Sequence, residues 1–270
     1  MTEHYVLGSH DEEFERLHLQ HQVWSPDTTA LWQRAGFGPG QTLLDAGCGP
    51  GLATSDLAGL VGPDGRVTGL DEAERFVGAA TARSAALGLG NVSIARADLQ
   101  SVLELTPEYD GVFLRWVLSF LSRPGRAFGQ LAAALKPGGA LVAMDYCHYE
   151  AARVFPRSDT LDQLFHYIAR ANEQSGGDFD HGAQLATWAR REGLIVEWLD
   201  PITHAAQPGG RYWYWFTAFC RVFIPQMVNS GHMPAALAEK VVAQLRERET
   251  MPGAFFMTPP VMTMIARRPA

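Results

Sequence analysis

The run Leu43-Leu44-Asp45-Ala46-Gly47-Cys48-Gly49-Pro50-Gly51 constrains this chain more than any other stretch. Its leucines and alanine read as a buried strand. Gly47, Gly49 and Gly51 then permit a tight turn whose backbone can approach a bound molecule where a Cβ would collide. The spacing is GxGxG rather than the GxGxxG of the dinucleotide fingerprint. Asp45, just before the turn, would repel a pyrophosphate on a helix N-terminus but suits a ligand carrying an ammonium and a sulfonium.

Around this turn the texture is that of an α/β fold. Five apolar runs, at 42–46, 66–70, 92–95, 111–114 and 140–144, alternate with helical stretches and predict a doubly wound parallel sheet covered on both faces. Before it, the pattern predicts one helix over residues 9–23 and a second beginning at Ser25, an N-cap followed by Pro26, and ending near Gly36. After it come helices at 158–174 and 180–192 and strands at 194–199 and 254–266, with two helices at 211–228 and 234–249 between the strands. That insertion is too long for a hairpin and too apolar for a linker. The expected division is therefore a helical lead or lid (1–40), an α/β core (41–200 with 251–270) and a helical cap (201–250).

Further acids stand where later strands end. Asp71 lies about twenty residues past the loop, where a carboxylate can accept from both ribose hydroxyls; Glu72 adjoins it. A helix N-cap is the other use for Asp71. In Ala97-Asp98-Leu99, Asp98 can accept from an exocyclic amine of adenine while Leu99 packs on the ring, or Asp98 can cap the next helix.

In order and spacing, LLDAGCGPG, VTGLD, ARADL, YDGVFLRWVLSFL and LKPGGALVAMD resemble the signposts of class I S-adenosylmethionine-dependent methyltransferases across residues 41–146. The resemblance implies a Rossmann-like sheet of seven strands, with the last antiparallel between the fifth and sixth. It also implies S-adenosylmethionine as cofactor, with Gly47, Gly49 and Gly51 along its methionine portion, Asp71 on the ribose and Asp98 near the adenine. The N-terminal lead, YVLG followed by ERL and Gln20, is similar to that of bacterial methyltransferases acting on small molecules and natural products, which makes Tyr5, Arg16 and Gln20 candidate cofactor contacts. One departure is Phe120 in Leu118-Ser119-Phe120-Leu121, where relatives often carry histidine. Arg115 and Trp116 match the relatives' pattern.

Methyl transfer from a sulfonium is an in-line displacement in which positioning supplies much of the catalysis. A base helps when the acceptor is a hydroxyl and matters less for a neutral amine or an activated carbon. Strand ends facing the crevice nominate Arg115 and Trp116 after the fourth strand, and Tyr146, His148 and Tyr149 after the fifth. His148 is the first choice of base because imidazole titrates near neutrality, with Tyr146 and Arg115 beside it in the catalytic set. Arg115 also stands within reach of the cofactor. His18 and His21, three apart on the leading helix, are candidates to face the site; no third ligand accompanies them, so no metal is expected. The aromatic run 211–219 reads mostly as core, with Trp213 and Trp215 offered to an apolar acceptor pocket or to a dimer contact.

Composition narrows the partners. The net charge of −7 gathers no polyphosphate, no apolar run reaches the roughly 20 residues of a membrane span, and three scattered cysteines make no disulfide framework. A cytoplasmic enzyme with a small-molecule acceptor, without nucleic-acid or membrane partners, is expected; a homodimer stays open. Two competing readings are a nicotinamide-dependent oxidoreductase on a similar sheet and a protein that uses the same cofactor pocket for binding, regulation or a non-methyl reaction such as a cyclisation.

Overall fold

The computed structural model describes residues 11–270. Helix α1 (Asp11–Ala35) runs unbroken through Pro26, where the sequence predicts a stop and a new N-cap. Proline removes one helical hydrogen bond, and Thr28 Oγ1 donates to the Trp24 carbonyl (2.9 Å) in the affected turn. Trp24, fully buried, meets the rings of Trp116, His204, Tyr212 and Trp215 at centroid distances of 5.2–5.4 Å. Tertiary packing on both sides of Pro26 thus overrides the local stop signal.

The core follows in the expected alternation: β1 (Thr42–Ala46), α2 (Leu52–Val61), β2 (Arg66–Asp71), α3 (Glu74–Ala86), β3 (Val92–Arg96), β4 (Tyr109–Arg115), α4 (Pro124–Ala133) and β5 (Leu135–Tyr146). Then come β6 (Arg153–Phe155), α5 (Asp159–Gln174), α6 (Leu185–Arg191), β7 (Ile195–Ile202), β8 (Ala205–Ala206), α7 (Arg211–Asn229), α8 (Ala235–Thr250), β9 (Phe255–Met257) and β10 (Val261–Arg267). Ser158 caps α5 by accepting from the Leu161 amide. The helix expected over 180–192 instead opens as a 3-10 turn at His181–Gln184 before α6.

Seven strands form one sheet in the order β3-β2-β1-β4-β5-β10-β7. β1 to β5 pair in parallel, and β10 runs antiparallel to both β5 and β7, the inverted strand that the resemblance implies. β1 and β4 are buried on both faces because helices cover each side. The expected strand over 254–266 is split at Thr258-Pro259-Pro260, since proline donates nothing to a ladder. Its first part, β9, joins β6 and β8 in a small second sheet; strands of two or three residues are too short to leave a periodic signal in the sequence. Helix α7 lies against α1, and α8 against α5 and α7. Strand order reverses between β1 and β4, which opens a crevice at their carboxyl ends.

Candidate active site

A cavity lined by α1, the strand tips and α7 fills that crevice. One part is lined by Asp45, the glycine loop, Asp71, Glu72, Asp98 and Leu99; the other is aromatic. Arg16, Leu17 and Gln20 of α1 also line it.

All three loop glycines adopt left-handed φ, at 72°, 53° and 78° for Gly47, Gly49 and Gly51, but they serve different ends. A Cβ on Gly47 would stand 2.5 Å from Val117, and one on Gly51 2.8 Å from Ala80, so both glycines are required by packing inside the protein. A Cβ on Gly49 would meet nothing within 4 Å: this residue leaves the cavity floor open. The amides of Gly47 and Cys48 donate to Leu70 O (2.7 and 2.9 Å), tying the loop to β2. Asp71 holds it from the other side, accepting from Gly49 N (2.8 Å) through one oxygen and from Ala73 N (2.9 Å), at the start of α3, through the other. Asp71 thus stands at the cavity wall as the acceptor for two backbone amides, while the N-cap of α3 is Ala73.

Asp45 is buried, with Thr54 Oγ1 donating to it at 2.6 Å. Burial pushes its carboxyl up to about 6; the Thr54 hydrogen bond and the Arg115 charge oppose this, and Asp71 adds to it. A buried carboxylate in this condition fits a cationic ligand group, which would restore its full ionisation. Asp98 accepts from Gln100 N and Ser101 Oγ (both 2.8 Å), closing its own turn rather than capping a helix, and it remains at the cavity wall with the buried Leu99. These residues fit the adenosyl sulfonium compound that the resemblance implies: carboxylates at the tips of successive strands around an open glycine floor.

Arg115 closes the far side. It donates to Thr28 Oγ1 (2.8 Å) and faces His21 Nδ1 (3.3 Å), whose Nε2 stands 3.0 Å from Asp56. A guanidinium accepts nothing, so His21 accepts at Nδ1 and donates to Asp56 from Nε2. Burial lowers the Arg115 pKa to about 10 against the supporting charges of Asp45 and Asp56, leaving it charged at neutral pH. On α1, Glu13 grips Arg16 through two 2.7 Å bonds. Gln20 Oε1 accepts from both Arg16 (2.8 Å) and Trp215 Nε1 (3.1 Å), so the predicted Arg16 and Gln20 are fixed at the wall. Tyr5 lies outside the described residues.

The acceptor side differs most from expectation. Trp116 (φ 53°) stacks on Tyr146 (5.7 Å) and Trp215 (6.3 Å), and Tyr146 meets Tyr149 and Phe179 edge-on. Burial pushes both tyrosine pKa values up, so both hydroxyls keep their protons. His148, the expected base, is exposed, takes a left-handed φ of 54° and is not part of the cavity wall. The chain turns there, just after β5 ends at Tyr146. His18 is exposed and also off the wall; burial lowers its pKa, and Arg83 and His21 lower it further. His21 serves Arg115 instead. Trp213 is core, at 1 % exposure, and Trp215 backs Trp116 from behind the wall. Phe219 and Phe223, one and two turns further along α7, line the cavity in their place.

Sequence reasoning also missed Asp145. Fully buried, it accepts from the amides of Val117, Leu118, Ser119 and Tyr146 and from the Ser119 hydroxyl, so it holds the segment leaving β4 against the end of β5. The signal lay in the LKPGGALVAMD run, whose terminal acid stands beside the β4 exit once β4 and β5 pair. Among the described residues, no group of three His, Cys, Asp or Glu side chains is placed to hold a metal ion.

Comparison with known proteins agrees with this geometry. A family model described as a methyltransferase domain matches residues 38–212. A demethylmenaquinone methyltransferase of Symbiobacterium thermophilum is 29 % identical over 163 residues, covering 57 % of this chain and 62 % of that protein. The chain spans 46 % and 62 % of the length of the first two curated relatives it matches. In fold it is similar to the geranyl diphosphate C-methyltransferase of Streptomyces coelicolor, solved with S-adenosylhomocysteine (TM-score 0.61, 15 % identity, 97 % of this chain and 84 % of that one). It is also similar in fold to the [4+2]-cyclase SpnF (TM-score 0.56, 20 % identity, 90 % of this chain and 80 % of that one). With the family model spanning well over half of its length, the chain belongs to the methyltransferase-domain family, the class I S-adenosylmethionine-dependent proteins.

Proposed function

We propose that this chain transfers a methyl group from S-adenosylmethionine to a small organic molecule. The observation that carries this reading is the buried Asp45 carboxylate beside the open Gly49 floor, in a cavity with a carboxylate-lined part and an aromatic part. When bound, the cofactor supplies an electrophilic methyl carbon on a sulfonium, open to attack by oxygen, nitrogen or carbon.

In this reading Asp45 takes the cofactor's ammonium, Gly49 gives room to its methionine chain, Asp71 and Glu72 face the ribose, and Asp98 and Leu99 face the adenine. Arg16 and Gln20 cover the site from α1 and exclude water. Arg115 supplies fixed positive charge between Asp45 and α1. Trp116, Tyr146 and Tyr149 set the acceptor's position, and positioning supplies the rate. His148 has no part in it. The division into lid (1–40), core (41–200 with 251–270) and cap (201–250) accords with cavity walls drawn from α1, the strand tips and α7.

A cytoplasmic setting suits the three free cysteines. No helix among the described residues is long and apolar enough to cross a membrane, and the acidic net charge argues against a nucleic-acid acceptor. The exposed Tyr214 on α7 is the place to look for a homodimer contact.

The test is titration calorimetry with S-adenosylhomocysteine, followed by incubation with methyl-labelled S-adenosylmethionine and a metabolite library. Label should move to a small molecule as S-adenosylhomocysteine accumulates. Binding of NADH with none of S-adenosylhomocysteine would restore the oxidoreductase reading. Cofactor binding with product formed but no label transferred would favour a cyclase-like role, a chemistry that SpnF carries on a similar fold.

A further inference from the structure

We infer that the acceptor half of the cavity takes a molecule that arrives with an ionised, resonance-stabilised oxygen, a carboxylate or the enolate of a 1,3-dicarbonyl; this rests on the methyl-transfer reading and narrows its substrate class. Its recognition groups are the hydroxyls of Tyr146 and Tyr149, cavity-lining residues at 7 % and 6 % exposure. The backbone amides of these residues donate to Asp145 and Asp180, whereas their hydroxyls have no partner among the described residues. Unlike the Trp116 indole nitrogen, which is sealed inside the protein, neither hydroxyl is enclosed. Gln20 adds a third donor. Its Oε1 accepts from Arg16 and Trp215, both obligate donors, which turns the amide NH2 the other way, unpartnered and unsealed, in a residue that lines the cavity.

The same half holds no proton acceptor. Burial keeps both tyrosines protonated, the carboxylates stand in the other half, and no histidine among the described residues lines the wall. An aliphatic alcohol or an ammonium would find no side chain to take its proton. An ionised oxygen needs none: its electron pair, or that of the conjugated enolate carbon, forms the bond to the methyl carbon. The carbon–sulfur bond breaks with its pair left on sulfur, and no proton moves. Charge agrees with this. Arg16 and Arg115 are close enough for their charge to oppose the effect of burial on the Tyr146 hydroxyl, and Arg16 acts on Tyr149 as well. Arg115 directs its hydrogen bonds to Thr28 and His21 rather than to an acid. Neutral donors beside such charges favour an oxyanion, and the arginines set like charge against a cationic amine.

In the experiment, the full chain saturated with S-adenosylhomocysteine is titrated at neutral pH with benzoate and dimedone. Each is paired with its methyl-blocked form, methyl benzoate or the methyl enol ether of dimedone, and benzylammonium serves as the cation. An anion should bind about tenfold tighter than its blocked form, because an ionised acceptor strengthens each hydrogen bond it receives. Preference for benzoate alone assigns a carboxylate; preference for dimedone alone assigns an enolate. Tyr146→Phe and Tyr149→Phe should each lower anion affinity about five- to tenfold and leave the blocked probes and S-adenosylhomocysteine unaffected. Since neither hydroxyl has a partner to lose, neither variant should lower the urea unfolding midpoint. Blocked probes or benzylammonium binding as tightly as the anions, or anion affinity unmoved in both variants, overturns the inference while the cofactor reading stands. Failure of S-adenosylhomocysteine itself to bind overturns both.

Discussion

Replacing Asp45 by asparagine should make the empty protein more stable and the cofactor-binding protein worse. Burial raises this carboxyl from an ordinary 3.8 to about 6. At about 1.4 kcal/mol per tenfold change in proton affinity, that displacement amounts to ~3 kcal/mol. The folded chain holds the proton more tightly than the unfolded chain does. Stability is therefore greatest below pH 3.8, declines as pH rises to about 6, and is level above it. The asparagine of Asp45→Asn carries no such penalty and can still accept from Thr54 Oγ1, which lies 2.6 Å from the native carboxylate. The variant should gain up to ~3 kcal/mol over the native protein at pH 8, and the gain should vanish near pH 4.

Ligand affinity should move the other way. Losing a charge-assisted contact to an ammonium costs ~1.5–3 kcal/mol, or about 10- to 100-fold in S-adenosylhomocysteine affinity. In the native protein that affinity should fall by about tenfold per pH unit below 6, as Asp45 takes up a proton before the ligand arrives. Urea unfolding at pH 4, 6 and 8, with calorimetric titration at each pH, measures both effects. A variant no more stable than native at pH 8 that binds S-adenosylhomocysteine undiminished would refute the assignment of Asp45 to a cation.

The loop glycines should separate into two kinds. Gly49→Ala should lose cofactor affinity in calorimetry with only the ~1 kcal/mol cost of a left-handed alanine, whereas Gly47→Ala and Gly51→Ala should lose a further ~1–3 kcal/mol in urea unfolding against Val117 and Ala80. Asp145→Ala strands four backbone amides and a hydroxyl and should destabilise by at least ~3 kcal/mol, read from the same unfolding midpoints. His148→Ala should leave label transfer in the methyltransferase assay unchanged, since the side chain is exposed and off the cavity wall; a large loss of kcat would restore it as a base.

The cofactor half of the site was legible because its parts are local. Leu43 to Gly51 is a contiguous strand and turn, β1 begins and ends where the sequence places it, Asp71 is the last residue of β2, and Asp98 lies two residues past β3. The acceptor half is assembled from distant pieces. Phe179 comes from the connection after α5, and Phe219 and Phe223 from one face of a helix that is aromatic on several faces, so periodicity could not choose them over Trp213. Asp145 looked like the last residue of a strand, and its partners appear only when β4 pairs with β5. His148 was misplaced because strand-end reasoning fixes position along the chain but not the turn that follows, and here His148 itself takes the left-handed conformation. At Pro26 the local stop signal was real, but the burial of Trp24 outweighed it.

The charges around Asp45 connect these halves. Arg115 is close enough to stabilise the Asp45 carboxylate, yet its hydrogen bonds run to Thr28 and His21 on α1, and His21 is held in turn by Asp56 on α2. A guanidinium in bidentate contact would hold the carboxylate well below the ordinary range and occupy the oxygens a ligand needs. Held by α1, it lends charge at a distance, and Asp45 stays near 6 with acceptor capacity to spare. The packing of α1 across Trp24 and Pro26 therefore does more than cover the cavity: it keeps the arginine off the acid, which in the proposed reading leaves the acid for the cofactor.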